Sequence, residues 1–354
     1  MKGFDALSGK ITSSAFRDIL LPQLGSVRSE VKIGPQYGVD NAIIDLGNNL
    51  GMAVSSDPLS LIPTVGVKAS AWISVHLLAN DIATSGFSPK YAQFVLNLPQ
   101  ETPLDVFEKY WSYIHLFCKE IDVAITGGHT CRMGGSEAVV SGGGTMFTTA
   151  PLDEIISSSG AEPGDVIIVT KETALISSSI LAMSFPKTIK LKLGKSVYNT
   201  ACENFYQTSS LKEALLASEF LNKRTELKAM HDVTEGGVLG AIYEMASASK
   251  VGFKVYDNSL PTGNTQKRIM DLFEIDHRFC VGAGSMIMAV KKGTEHGLLK
   301  HLEENSIKAT VVGELTTKDQ GYRIVENGIE KEFTYNGVDP YWEAYFRAVK
   351  NKLS

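Results

Sequence analysis

The sequence lacks an excess of positive charge, with 34 Lys and Arg against 39 Asp and Glu and a net charge of −5 at pH 7. Surfaces that bind nucleic acid or membranes usually carry a basic stripe, so we expect neither partner. The chain also lacks a run of about 18 apolar residues, and its beginning, MKGFDALSGK, lacks the apolar stretch of a signal peptide. These absences favour a cytoplasmic protein.

Cysteine is scarce as well. The four cysteines show no CxxC spacing, which argues against both a disulfide framework and a cysteine zinc site: Cys118, Cys131, Cys202 and Cys280. Apolar residues make up 44% and charged residues 21% of the chain, close to the average of globular proteins. At 354 residues, two domains are the natural expectation.

Strand-like and helix-like segments alternate along the chain, which predicts an α+β or α/β fold. Residues 41–47 and 51–57 are typical of a hairpin, and residues 91–98 alternate like a half-buried strand. Residues 69–85 have helical apolar spacing, and VIIVT (166–170) is typical of a buried strand.

The small-residue stretch SSSGAEPGD (157–165) ends in turn chemistry and is the best candidate for a domain boundary. We therefore predict an N-terminal domain over 1–156, a C-terminal domain over 157–335 and a terminal amphipathic helix over 336–354. The basic stretch KTIKLKLGKS (187–196) is predicted to be a solvated loop. It is not a P-loop, because Ile189 stands where the first glycine is required.

Several carboxylates stand beside turns or in an apolar helix: Asp40 in GVDNAII, Asp57 in SSDPL, and Asp81 next to Asn80 in LLANDIATSG. A buried carboxylate needs a partner, which could be a cation, a lysine or a backbone amide. Magnesium takes oxygen ligands and commonly binds through a few carboxylates together with nucleotide phosphates. The group as a whole favours a divalent cation.

Glycine pairs supply the other half of a possible phosphate site. TGGHT (126–130) follows a predicted strand, and EGG (235–237) opens a predicted helix within HDVTEGGVLGAIYEMA. Without a Cβ the backbone can approach an anion, and a helix N-terminus attracts one. Gly236 and Gly237 would let either a phosphate or a neighbouring chain segment lie against the helix, or would only permit tight helix packing.

Seven ordered pieces carry a resemblance: GVDNAII, SSDP, ANDIATSG, TGGHT, PGDVIIVT, HDVTEGG and VGAGSMIMAV. Over about residues 30 to 335 the chain resembles the family of aminoimidazole ribonucleotide (AIR) synthetase, which includes the hydrogenase expression/formation protein of the E type, thiamine-monophosphate kinase and selenide water dikinase. It looks most similar to the hydrogenase-maturation-like branch. The resemblance implies an N-terminal α/β domain that dimerises, a C-terminal α+β domain, and ATP bound with magnesium.

The resemblance also implies site residues. Asp40, Asp57 and Asp81 match the metal-binding acids with Asn80 beside them. Gly127, Gly128 and Thr130 match a phosphate-side loop, and Asp232, Gly236 and Gly237 a nucleotide contact of the second domain. Asp81, His129 and Asp232 are the predicted catalytic residues.

Two positions depart from the family pattern. Val39 and His129 stand where the family often has acids, which leaves the number of metal ions open. His129 is a poor magnesium ligand, so it would hold a phosphate when protonated, act as a base, or be a tolerated loop residue. We expect an ATP-dependent enzyme that phosphorylates a carbonyl, amide or phosphate oxygen. The alternatives are a kinase resembling the thiamine-phosphate enzyme and a nucleotide-binding regulatory or assembly protein without turnover.

Overall fold

The computed structural model describes residues 10–11, 13–133 and 141–354. Near the N-terminus, the short helix α1 (Ser13–Ala15) continues as a π-helical turn over Phe16–Leu20. The rest of the described chain is built on two β-sheets with helices around them, which confirms the predicted mixture of helices and strands.

The first sheet has six strands within the described residues: β1 (Val31–Ile33), β2 (Ala42–Gly47), β3 (Leu50–Pro58), β4 (Tyr91–Pro99), β5 (Ala124–Met133) and β6 (Ser141–Pro151). Their order is β1-β2-β3-β6-β4-β5. Only the β4–β5 pair among them is parallel. The predicted hairpin is confirmed as β2 and β3, and the predicted strand over 91–98 as β4.

Helices α2 (Val67–Ala83) and α3 (Leu104–Glu120) cover one face of this sheet. Phe94 and Leu96 of β4 pack there against Val75 and Leu78 of α2. Helix α2 is buried almost all round from Ala69 to Ala83, because its other sides contact the C-terminal half. A helix in that position carries its polar side chains into the protein interior.

The second sheet has seven strands within the described residues: β7 (Val166–Thr170), β8 (Leu227–Asp232), β9 (Gly252–Tyr256), β10 (Met286–Val290), β11 (Ala309–Thr316), β12 (Tyr322–Glu326) and β13 (Ile329–Glu332). The order is β13-β12-β9-β11-β7-β10-β8. Strands β7 and β8 both run antiparallel to β10, which lies between them, so their C-terminal ends reach the same edge of the sheet.

Helices α7 (Leu211–Phe220) and α10 (Glu295–Glu304) cover one face of the second sheet, and α8 (Gly237–Ala248) covers the other. The remaining helices of the C-terminal half pack with part of α2 in a separate apolar cluster: α4 (Leu175–Ser184), α5 (Pro186–Leu193), α6 (Lys195–Asn204), α9 (Asn264–Phe273) and α11 (Pro340–Lys350). Ile167 and Val169 of β7 face α8, whereas Val166 and Ile168 face α7 and α10. Burial on both faces explains why this strand is apolar throughout.

Two predictions about local structure need correction. Residues 187–196 are not a solvated loop but lie in α5 and the start of α6, separated by Gly194 and anchored by the buried Ile189. The second concerns the terminal helix predicted over 336–354: α11 spans Pro340–Lys350, with Tyr341 buried and the side chain of Phe346 half exposed.

The first sheet ends at Pro151 and the second begins at Val166, so the predicted boundary falls between the two sheets. The domain limits 1–156, 157–335 and 336–354 stay predictions. Among the described residues, no helix is both long enough and apolar enough to cross a membrane.

Candidate functional site

Four carboxylates from both halves of the chain meet between the two sheets. Asp40 precedes β2, Asp57 lies near the end of β3, Asp81 lies in the last turns of α2, and Asp232 ends β8. Asp40 joins the halves directly, because its Oδ2 accepts hydrogen bonds from the backbone N–H of Asp232 (3.2 Å) and from Ser158 Oγ (3.1 Å). We call Asp40, Asp57, Asp81 and Asp232 the acid cluster.

Two carboxylates at the centre of the acid cluster lie close enough together to share a cation, and His231 lies beside them. One ligand atom from each of Asp40, His231 and Asp232 lies within 4.8 Å of the others. Asp232 Oδ2 is buried and has no hydrogen-bond partner in the described part of the chain. A buried acceptor without a partner is unusual, and a bound cation would satisfy it.

The carboxylates of the cluster are electrostatically strained without such a cation. Burial, followed by the charge of Glu235, raises the pKa of Asp57 to about 7. Burial, then Asp57, Asp232 and Asp40, raise the pKa of Asp81 well above its usual range. The pKa of Asp232 is raised in the same way by burial and Asp40. Because a divalent cation offsets both desolvation and mutual repulsion, the oxygen-rich donor set fits Mg²⁺.

Neighbouring side chains orient the acids. Asp81 Oδ2 accepts a hydrogen bond from Ser55 Oγ at 2.7 Å, and the backbone carbonyl of Asp81 accepts one from Asn41 Nδ2 at 3.2 Å. Burial raises the pKa of Asp40, although His231 opposes that shift. The hydrogen bond from Ser55 holds the carboxylate of Asp81 in place, and those from Ser158 and the N–H of Asp232 hold the carboxylate of Asp40.

Behind the acid cluster lies a row of charged residues that the sequence did not reveal as site residues. His231 Nδ1 is 3.4 Å from Asp40 Oδ1, and its Nε2 is 3.5 Å from Glu244 Oε2. Lys10 Nζ lies 3.3 Å from Glu244 Oε2 and donates to Thr234 Oγ1 at 2.9 Å. His231 was visible beside Asp232 in the HDVTEGG motif, and Glu244 lies in the helix that follows. No sequence signal pointed to Lys10, more than 200 residues away.

The charges in this row stabilise one another. Burial disfavours the imidazolium, but Asp40 and Glu244 together raise the pKa of His231 to about 9. Burial likewise opposes ionisation of Glu244, yet Lys10 and His231 lower its pKa to about 2. His231 is therefore a buried cation at neutral pH, and its charge offsets part of the effect by which burial raises the pKa of Asp40.

Comparisons with known proteins match this architecture. Residues 38–148 match the N-terminal domain, and residues 162–326 the C-terminal domain, of the family described as AIR synthase related protein. The chain belongs to the AIR synthase related family. Both matched regions contribute to the acid cluster, since Asp40, Asp57 and Asp81 lie in the first and Asp232 in the second.

Known relatives of this AIR synthase related protein align over most of its length. A Methanocaldococcus jannaschii protein named for hydrogenase expression/formation is 24% identical and covers 88% of this chain and 90% of its own. Selenide, water dikinase of Methanococcus maripaludis is 26% identical and covers 82% and 90%. A solved structure of hydrogenase maturation protein HypE in complex with ATP superposes with a TM-score of 0.68 at 17% identity, covering 95% and 97%.

The glycine pair that opens α8 accommodates neighbouring chain segments. Gly236 and Gly237 both have positive φ angles, of 86° and 63°. A Cβ on Gly236 would collide with the hydroxyl of Tyr335, and the amide of Gly236 already donates to Asp339 Oδ2 at 2.9 Å. The anion at the start of α8 is therefore the protein's own carboxylate, and a neighbouring chain segment lies against the helix, which is one of the alternatives that the sequence left open. Contact of Gly236 and Gly237 with a nucleotide stays a prediction. A Cβ on Gly237 would likewise clash with the backbone carbonyl of Arg278.

The side-chain amide of Asn80 is also engaged within the protein. Its side chain is fully buried, and its amide binds backbone groups of the C-terminal half: Nδ2 donates to the carbonyl of Thr208 (3.0 Å), and Oδ1 accepts from the N–H of Ser210 (2.7 Å). Both ends of the amide are thus engaged within the protein. Asn80 joins α2 to the 208–210 segment, and its contact with a cofactor stays a prediction.

The TGGHT segment is not a loop after a strand, as predicted, but part of strand β5 at the edge of the first sheet. A line of paired residues crosses the sheet from the acid cluster to this edge: Asp57 on β3, Gly144 on β6, Phe94 on β4 and Gly128 on β5. Three strand spacings place Gly128 about 14 Å from Asp57.

His129 is opposite Val95, whose side chain is exposed, whereas the neighbouring Phe94 is buried against α2. His129 therefore lies away from the acid cluster of its own chain, and its catalytic role stays a prediction. Contacts of Gly127, Gly128 and Thr130 with a nucleotide stay predictions.

Proposed function

We propose that this AIR synthase related protein binds magnesium ATP at the acid cluster and transfers a phosphoryl group to an oxygen of an acceptor. The observation that carries the proposal is the convergence of Asp40, Asp57, Asp81 and Asp232, with a buried Asp232 oxygen that lacks a partner among the described residues. Phosphoryl transfer depends mainly on positioning and charge neutralisation, which such a cluster provides through bound cations.

The names of the relatives support the proposal. One relative is called a dikinase, and another was solved in complex with ATP. The four acids would hold Mg²⁺, which when bound would neutralise charge on the phosphates. Asp40 and Asp57 are partly buried, whereas Asp81 and Asp232 are buried.

The remaining residues act on the acids and on the phosphates. Ser55 and Ser158 orient Asp81 and Asp40, and the charge of His231 favours the ionised form of Asp40. Although burial opposes its charge, Glu244, Glu235 and Asp232 raise the pKa of Lys10, so its ammonium stays charged at the edge of the cluster. We assign Lys10 to contact with phosphate oxygens, because it is a cation within reach of the acids that would hold their counter-ion.

A homodimer forms part of the proposal. Tyr91 and Val95 are exposed on the face of the first sheet that α2 and α3 leave uncovered, and Phe147 packs beside Tyr91 with ring centroids 5.2 Å apart. An apolar sheet face of this kind suits a second copy of the chain. Light scattering of the wild type and of Val95→Lys tests this part: we expect a dimer that the lysine weakens, and a monomeric wild type would contradict it.

The reaction itself is tested by measuring ADP release from magnesium ATP with carbonyl, amide and phosphate acceptors in turn. We expect acceptor-dependent ADP release that Asp232→Asn abolishes and that Asp105→Asn, an exposed carboxylate on α3, leaves unchanged. ATP binding without release under any condition would instead favour a regulatory nucleotide-binding protein. Absence of ATP binding would refute both.

A further inference from the structure

A cavity of about 670 Å³ lies in the C-terminal half, apart from the acid cluster. Its lining includes Lys171 directly after β7, residues of α7 and the residue before α9. Lys171 follows the last residue of β7, and Asp232 is the last residue of β8. Since β10 lies between these strands, the two residues lie at the same end of the sheet, about 10 Å apart. Ligand sites in proteins typically enclose about 300–1,000 Å³, so the cavity is large enough for a metabolite.

A buried ion pair forms one wall of this cavity. Lys171 Nζ lies 2.8 Å from Glu213 Oε1, with the two side chains only 12% and 0% exposed. Lys171 also donates to the backbone carbonyls of Gln207, Ser209 and Gly284, and Thr170 Oγ1 donates to the same Glu213 oxygen. The charge of Lys171 is therefore fully used within the protein.

Glu213 keeps one unused acceptor. Its Oε2 is buried without a hydrogen-bond partner in the described part of the chain. Buried carboxylate oxygens normally accept hydrogen bonds, and a buried ion pair that is left incomplete contributes little to stability. Glu213 lines the cavity but its side chain is 0% exposed, so an N–H or O–H group of a ligand would complete the coordination of this oxygen after a shift of the side chain.

The rim of the cavity carries surplus positive charge in a protein whose net charge is −5. Lys212 Nζ donates to the neutral carbonyl of Asn305 at 2.8 Å and has no carboxylate partner among the described residues. Lys308 is 82% exposed and 3.5 Å from Glu172, a pair too solvated to cancel its charge. Two cations at one rim favour an anionic group there.

We propose that this cavity, the lysine pocket, binds a small metabolite that carries a carboxylate or phosphate group together with N–H or O–H donors. The anionic group lies between Lys212 and Lys308, and a donor group completes Glu213. The amides of Asn204 and Gln266 line the same space and suit a polar ligand. This inference does not depend on the acid cluster or on phosphoryl transfer.

The wall of the lysine pocket is held rigidly and contains a natural reporter. Asn80 fixes the backbone of Thr208 and Ser210, and Trp72 Nε1 donates to Thr208 Oγ1 at 3.1 Å. The ring of Trp72 also contacts Tyr206, which lines the pocket, with centroids 5.3 Å apart. Occupancy of the pocket should therefore alter tryptophan fluorescence.

The test titrates the purified full-length protein with L-glutamate, citrate and glycerol 3-phosphate, using tryptophan fluorescence and calorimetry. We expect saturable binding of at least one probe, and the identity of the binder separates carboxylate from phosphate recognition. Lys212→Met should weaken that binding at least about tenfold, as expected for loss of a charge-assisted contact. Lys300→Met, an exposed lysine on α10 that pairs with Glu304, is the matched control and should bind normally.

Three results would overturn the lysine pocket. One is the absence of any response to all three probes up to about 10 mM, a range that includes weak metabolite affinities. Another is unchanged affinity in Lys212→Met. The third is an equal loss in Lys300→Met, which would indicate attraction to surface charge rather than to the pocket. Because Lys212 is exposed, its replacement should not disturb folding, and a thermal melt of the variant checks this.

Discussion

Replacing Asp57 by asparagine should stabilise the protein without metal and remove its response to magnesium. Asp57 lies partly buried among like charges, and burial with the charge of Glu235 raises its pKa from 3.8 to about 7. Asparagine has nearly the same shape but carries no charge. The variant therefore separates the electrostatic cost of the acid cluster from its packing.

The direction in which stability changes with pH follows from proton linkage. The folded state holds the proton of Asp57 more tightly than the unfolded state, so ionising it costs stability as pH rises from about 4 to about 7, and the loss is complete above about 7. A shift of about three pKa units at 1.36 kcal/mol each sets an upper limit of about 4 kcal/mol. Because Asp81 and Asp232 share the repulsion, we expect the asparagine variant to gain about 1–2 kcal/mol near pH 8.

The assay is urea unfolding of the wild type and Asp57→Asn in EDTA near pH 4 and pH 8, repeated near pH 8 with magnesium. We expect nearly equal stability near pH 4, a more stable variant near pH 8, and stabilisation by magnesium in the wild type alone. Asp105→Asn removes an exposed carboxylate that pairs with Lys109 on α3, and should change stability by less than about 0.5 kcal/mol. A variant less stable than the wild type near pH 8 would show that Asp57 is held by favourable contacts and would refute the reasoning.

Four further substitutions test other parts of the site. Asp81→Asn should weaken binding of magnesium ATP in calorimetry by about 1–2 kcal/mol with the fold intact, and equal affinity would remove Asp81 from the site. His129→Gln should leave that affinity and its pH dependence unchanged, since His129 lies on the edge strand away from the acids; a lost pH dependence would return it to the site. Lys10→Met should tighten binding of free Mg²⁺ several-fold while weakening ATP, because the ammonium competes with the metal for the same carboxylates; weaker Mg²⁺ binding would count against this role. Asp339→Ala should lower the free energy of unfolding by about 2 kcal/mol in urea melts, because Asp339 accepts hydrogen bonds at the starts of both α8 and α11.

Much of the architecture could be predicted from local patterns. The hairpin of β2 and β3, the alternating strand β4 and the apolar strand β7 each follow from side chains whose period or composition matches their burial. Residues 187–196 were predicted to be a loop because their lysines are typical of one. In the structure, the single buried residue Ile189 anchors the helix α5 against the protein. Local polarity describes solvent contact well and helix formation less well.

The acids of the candidate site could also be identified one by one, because a carboxylate in an apolar helix or at a strand end is conspicuous by itself. Their meeting point depends on contacts of long sequence separation, such as the bond from the N–H of Asp232 to Asp40. The roles of Lys10 and Glu244 arise only from such contacts. The hydrogen bond from the amide of Gly236 to Asp339, about a hundred residues later, also depends on such a contact.

The sequence by itself determined which residue types were available for cation chemistry and which segments would form strands and helices, since these depend on side-chain chemistry and short-range spacing. The tertiary structure alone decided which charges face one another and which amides remain free. The TGGHT segment shows the difference: its glycines suit a phosphate loop, but pairing with β4 extends the backbone as an edge strand and turns His129 away from the acids. Which charged residues interact depends on the distance between them in space, and the folded chain sets that distance.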